Sequence, residues 1–121
     1  MELKKLNESE IAYRTNGNSG PKYLMRGPRS DFGLVQLQPG EDFQSHYHSA
    51  IEENFFTLEG TCELYIDQQK WLLTPGDFIH VPPKNAHYLV NRGTVPWKAV
   101  FSKAPFDVKD KVDTDRPPSA T

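Results

Sequence analysis

Cysteine is nearly missing from this chain: Cys62 stands alone among 121 residues, which excludes an internal disulfide framework. Histidine is scarce too, with 4 in all, so any clustering of them carries information. Long apolar runs are also missing. The longest are a few residues, such as Trp71–Leu72–Leu73, far short of the roughly 20 that a bilayer-spanning helix needs. Neither charge sign dominates: Lys and Arg total 14 against 16 Asp and Glu, a net charge of −2. Without a basic run to track a phosphate backbone, nucleic acid is not an expected partner. The first residues mix Glu2, Lys4, Lys5, Glu8 and Glu10 with scattered Leu and lack the apolar block of a secretion signal. Together with the single thiol, this predicts a cytoplasmic protein without a membrane partner.

What is present is a series of short β-type segments. With 36% hydrophobic residues over 121 positions, the chain can bury one modest core and no second domain of ordinary size. Residues 1–21 read as an N-terminal arm and loop, ending in Thr15-Asn16-Gly17-Asn18-Ser19-Gly20-Pro21. Residues 22–106 read as one barrel. Its predicted strands are Lys22–Arg26, Phe32–Gln38, Phe43–His48, Asn54–Glu59, Cys62–Ile66, Lys70–Leu73, Asp77–Val81, His87–Asn91 and Trp97–Ser102, separated by Gly, Pro and Asp turns. Residues 107–121 alternate charges and end in Pro117-Pro118-Ser119, predicting an extended or disordered tail, or an arm laid across a partner subunit. Closely spaced strands without helical periods predict an all-β fold of antiparallel strands.

The chemistry-bearing residues fall in two places. His46 and His48 lie two apart in a predicted strand, so they share a face. Glu53 follows across a short connection and would return beside them on the next strand. Pro82-Pro83-Lys84-Asn85-Ala86 turns the chain ahead of His87, which opens another strand and offers a fourth donor. His80 reads as a strand-face histidine and Cys62 as a packed small residue.

These residues resemble the two motifs of the cupin superfamily. The first, G-x5-H-x-H-x3/4-E-x6-G, is met by Gly40, His46, His48, Glu53 and Gly60. The second, G-x5-P-x-G-x2-H-x3-N, is met by Gly76, Pro82, His87 and Asn91, with Lys84 where the family has glycine. Glu53 rather than Glu52 fills the acidic position, because six residues separate it from Gly60 as the motif requires. At the Lys84 position a turn needing positive φ is expected to shift onto Asn85.

The resemblance implies a single double-stranded β-helix, or jelly-roll, barrel. It also implies one divalent transition-metal ion (Fe, Mn, Zn, Ni or Cu) bound by His46, His48, Glu53 and His87. Four protein ligands on an ion that accepts six leave two positions for water or substrate. The expected function is metal-dependent isomerisation, tautomerisation or lyase chemistry on a small oxygenated metabolite of sugar, uronate or keto-acid type, with Glu52 as the catalytic base. The alternatives are a metal-dependent dioxygenase and a non-catalytic small-molecule binding protein. Asn54-Phe55-Phe56-Thr57-Leu58 is apolar on both parities, which predicts a homodimer or an internal sheet contact on its second face.

Overall fold

A computed structural model describes residues 5–114. Beyond a single 3-10 turn at Glu8–Glu10, its regular structure is entirely β. The strands are β1 (Gly20–Arg26), β2 (Asp31–Leu37), β3 (His46–Tyr47), β4 (Glu52–Glu59), β5 (Cys62–Ile66), β6 (Gln69–Leu73), β7 (Phe78–Val81), β8 (His87–Val90), β9 (Trp97–Ala104) and β10 (Val112–Asp113). They form two five-stranded sheets, ordered β1-β2-β9-β4-β7 and β10-β3-β8-β5-β6. All ladders between these strands are antiparallel.

Strand alternation decides what lies between the sheets. In β9, Trp97, Ala99 and Phe101 are buried, while Lys98, Val100 and Ser102 are only partly covered. The same parity carries Lys103 inward at the end of the strand. In β4, Glu53, Phe55 and Thr57 point in and Glu52, Phe56 and Leu58 point out. The core joins Val35, Phe55, Leu64, Leu89, Trp97 and Phe101, contributed by both sheets. At its floor the Trp97 indole N–H donates to Thr57 Oγ1 at 3.0 Å, so no polar atom of this buried pair lacks a partner.

Several sequence expectations acquire a physical basis here. Asn91, fully buried, donates through Nδ2 to the carbonyls of Leu37 and Val95 at 2.9 Å each and accepts from Gly93 N–H at 2.8 Å. It knits three segments at the closed end of the barrel. The turn ahead of His87 does not shift onto Asn85: Lys84 itself takes φ +70. There its amide donates to the His48 carbonyl at 2.6 Å, a bond that offsets the strain of a left-handed non-glycine residue.

The predicted strand Phe43–His48 contracts to β3, because Phe43 N–H instead donates to Leu89 O at 3.0 Å outside a regular ladder. Among the described residues the second face of β4 receives no second sheet: Phe56 is 41% exposed and its cross-strand partner Phe78 63%. Of the predicted tail, residues 107–114 run across the chain's own β3, with β10 paired to it, and 115–121 lie outside the described residues, as do 1–4.

Two motif glycines differ sharply in their surroundings. A Cβ on Gly60 (φ +72) would lie 2.2 Å from Pro96 O, whereas one on Gly40 (φ +86) would meet nothing within 4 Å. Gly60→Ala is therefore expected to cost about 2–3 kcal/mol and Gly40→Ala about 1 kcal/mol, measured by urea unfolding. Equal losses would contradict the packing assigned to the Gly60 turn.

Candidate metal centre

The structure brings His46, His48, Glu53 and His87 to one place. One donor atom from each lies within 4.8 Å of every other. Both sheets contribute. His46 on β3 and His87 on β8 are direct cross-strand partners, with ring centroids 4.3 Å apart. His48, two residues on, shares their side, its ring 5.0 Å from that of His46. Glu53 comes from the opposite sheet, turned inward by the parity of β4.

Each imidazole is oriented by a backbone carbonyl at Nδ1. His46 Nδ1 faces Gln44 O at 2.7 Å, His87 Nδ1 faces Asn85 O at 3.2 Å, and His48 Nδ1 is bonded to Asp110 O. A carbonyl can only accept, so Nδ1 carries the hydrogen and Nε2 is left with its lone pair. The Nε2 atoms of His87 and His48 then stand 3.2 and 3.5 Å from Glu53 Oε1. A neutral imidazole lone pair facing a carboxylate oxygen is acceptor against acceptor, an arrangement stable only with positive charge between them. His48 Nε2 is buried and makes no directed hydrogen bond. Opposite donors of one first-row ion lie about 4 Å apart, so a spread of 4.8 Å closes around a cation with sub-ångström movement. The donor set fits a borderline transition metal better than magnesium or calcium.

The surroundings act differently on each of these groups. Burial, reinforced by the neighbouring His87, holds the His46 imidazolium down at about 4. For His48, burial opposes the charge, but Glu53 and the Asp110 carbonyl outweigh it and raise the pKa. Burial likewise opposes ionisation of Glu53, and the facing His48 and His87 overcome it, keeping this carboxyl well below the usual carboxylate range.

Asp110, which nothing in the sequence pattern marks, anchors the last described segment over the site. Its carboxylate accepts from the amides of Ser49 and Ala50 at 2.7 Å and of Ile51 at 3.0 Å. Thr114 N–H adds a bond to Ser45 O at 2.8 Å. The four donors open into a cavity of about 230 Å3, walled on the apolar side by Val35, Phe43, Phe55, Leu89 and Phe101, and roofed in part by Val108.

Glu52 does not reach this cavity. It points to the outer face, exposed, with its Oε2 3.6 Å from His80 Nδ1. Beside it His80 bonds Asn54 Oδ1 at 2.7 Å, a strand-face histidine as expected. Cys62 is buried against the core and burial pushes its thiol pKa upward, which removes it as a nucleophile. Arg26 lines the cavity, whereas Arg29 and Lys84 do not.

Two antiparallel sheets enclosing a histidine-rich cavity define a small protein of the double-stranded β-helix class. Across residues 33–102 the sequence matches the cupin domain, and the chain belongs to the cupin family. It is 37% identical over 82 residues to an uncharacterised protein of Methanocaldococcus jannaschii, covering 68% of this chain and 66% of that one. It is 29% identical over 97 residues to the tetracenomycin polyketide synthase protein TcmJ of Streptomyces glaucescens, covering 77% of this chain and 65% of that one. The chain thus spans just under two thirds of these curated relatives. Among solved structures, an uncharacterised Klebsiella pneumoniae protein with a double-stranded β-helix domain superposes with a TM-score of 0.80 at 20% identity, covering 95% of this chain and all of that one. No helix among the described residues is long and apolar enough to cross a membrane.

The depressed His46 pKa has a consequence for the metal-free protein. As pH falls from about 6.5 towards about 4, the unfolded chain takes up a proton on this residue that the folded chain refuses, so stability is lost over that window. Urea unfolding in EDTA is expected to show His46→Gln losing up to about 3 kcal/mol less than wild type between those limits. Coincident pH profiles would contradict the burial assigned to His46.

Proposed function

We propose that this cupin binds one divalent transition-metal ion through His46, His48, Glu53 and His87, and catalyses isomerisation, tautomerisation or lyase chemistry on a small oxygenated metabolite. The observation that carries this reading is the buried contact between imidazole Nε2 atoms and the Glu53 carboxylate, acceptors on both sides, with every Nδ1 committed to a carbonyl. When bound, such an ion supplies Lewis acidity to vicinal oxygens of a chelating substrate.

The remaining work falls to the protein. The carbonyls of Gln44, Asn85 and Asp110 fix the three rings so that little reorganisation accompanies binding. Phe55, Phe101 and Leu89 keep the inner wall dry, which strengthens charge interactions at the donors. Tyr23 alone among the lining residues bears a hydroxyl, and it accepts a hydrogen bond from Lys103 Nζ at 2.6 Å, leaving its own proton free to face a substrate. In our reading this hydroxyl, and not Glu52, moves the proton that isomerisation requires.

Purified protein is expected to take up one equivalent of Zn(II) or Co(II), measured by titration calorimetry and metal analysis. His48→Ala should weaken binding by about 100-fold or more with an unchanged β-type circular dichroism spectrum. Glu53→Gln should weaken binding clearly and Glu52→Gln hardly at all. Equal effects at 52 and 53, or a His48→Ala protein of undiminished affinity, would overturn the ligand assignment. Oxygen uptake by the Fe(II)-loaded protein on addition of substrate would replace the isomerase reading with a dioxygenase one.

A further inference from the structure

Beside the apolar wall, where Lys103 Nζ lies 5.8 Å from the Phe101 ring, the cavity has a cationic group assembled on a single aromatic ring. Arg26 Cζ lies 4.2 Å from the centroid of Tyr23, Lys103 Nζ 5.0 Å and Arg14 Cζ 5.6 Å. All four residues line the cavity that holds the metal-ligand donors. Tyr23 is itself held edge-on to Phe101, centroids 5.3 Å apart, across Gly33. A side chain at Gly33 would strike the Lys22 carbonyl at 2.2 Å and the Phe101 ring at 3.0 Å, so the platform depends on that glycine.

Among the described residues these three cations combine two properties, lining the cavity and lacking an ion-pair partner; Lys5, Arg29, Lys84 and Lys109 are likewise unpaired but do not line it. Lys22, Lys70, Arg92, Lys98 and Lys111 each lie within 4 Å of a carboxylate. Among the described residues Arg14, Arg26 and Lys103 have no such partner, although acids are at hand. Asp31 is paired with Arg26 across the β1–β2 ladder, yet its carboxylate accepts from Gly27 N–H at 3.1 Å. Asp107 is bonded to Lys109 N–H at 3.0 Å, and Asp110 to the three amides of residues 49–51. Three anions of the lining, Asp31, Asp107 and Asp110, are thus occupied by backbone donors and Glu53 faces His48 and His87, while Arg14, Arg26 and Lys103 lie beyond 4 Å of any carboxylate and only Lys111 of the lining cations has one, Asp113 at 3.9 Å. Lys103 is moreover the direct cross-strand partner of Glu53, which sets its backbone about 5 Å from that of a metal ligand on the same inner face.

We infer that Lys103, Arg26 and Arg14 form an anion subsite, and that the ligand of this protein carries a carboxylate or phosphate group distal to the oxygens that chelate the metal. This rests on the metal reading above for the chelating end, while the cationic group stands on its own geometry. Guanidinium forks and an ammonium converging on one anion give charge-assisted bonds that a neutral sugar or ketone cannot form. The cavity of about 230 Å3 limits such a ligand to a small metabolite.

The test uses three 2-hydroxycarboxylates with the same chelating head: lactate, with no second anion, malate, with a distal carboxylate, and 3-phosphoglycerate, with a distal phosphate. Each is titrated into the Co(II)-loaded protein, reading the visible absorption of the cobalt. Malate or 3-phosphoglycerate should bind wild type about tenfold or more tightly than lactate, and the larger of the two gains identifies the anion. In Lys103→Met and Arg26→Met that gain, taken as the ratio to lactate affinity in the same cobalt-loaded variant, should collapse, while Arg26→Met keeps the cobalt and lactate affinities of wild type. A wild-type protein that does not distinguish lactate from malate or from 3-phosphoglycerate, or a gain that survives both substitutions, overturns the subsite. Should wild type take up no cobalt, the metal reading fails by itself. Binding of malate or 3-phosphoglycerate to the metal-free protein, lost in Lys103→Met, would then still support the cationic group, and its absence would overturn it.

Discussion

Gathering three imidazole lone pairs and a carboxylate within 4.8 Å is an unfavourable act for a protein on its own. Everything near the site is arranged to tolerate it. Each ring is pinned from behind by a carbonyl, the His48 carbonyl is held by the Lys84 amide, and the Asp110 segment is locked by three amides of the loop after His48. These contacts fix the rings' orientation, so the repulsion cannot be relieved by turning a lone pair away. It is relieved by positive charge at the centre, which the raised pKa of His48 favours in the metal-free chain and which, in our account, an ion supplies.

The barrel is the means by which residues far apart in sequence are held in that arrangement. His46 and His87 meet because β3 and β8 are ladder neighbours, and Glu53 reaches them only because it lies on the facing sheet with inward parity. One residue of register in β4 would exchange Glu53 for Glu52 and place the carboxylate in solvent. The core beneath, from Trp97 to Phe101 along β9, holds that register. The same alternation, carried two residues further, delivers Lys103 to the cavity.

The donor set was legible through its match to the two cupin motifs, in which Gly60 decides between two adjacent glutamates, and because strand geometry translates spacing into sidedness, so that two histidines two apart share a face. The strand segments were legible for the same reason, with punctuation by Gly and Pro at their ends. What escaped depends on contacts with no local signature. β10 is a pair of exposed residues, Val112 and Asp113, whose placement rests on backbone bonds to β3, and Asp110 acts through amides that every sequence possesses. Lys84 occupies the left-handed turn because its amide has a partner there, which propensity alone assigns to Asn85. Tyr23, Arg26 and Lys103 converge only once the registers of β1, β2 and β9 are known, and Glu52 was a catalytic candidate only while the direction of its side chain was open.

Family membership by itself leaves the reaction undecided, since one fold hosts many chemistries. The cavity narrows it, with four clustered donors, an apolar wall and, beside that wall, three cations without an ion-pair partner. The most direct test of the central claim is anomalous diffraction at the absorption edge of the metal bound by crystals of the protein. The account predicts a single strong peak within bonding distance of His46, His48, Glu53 and His87. A peak elsewhere, or crystals soaked in metal that show none at those four side chains, would contradict it.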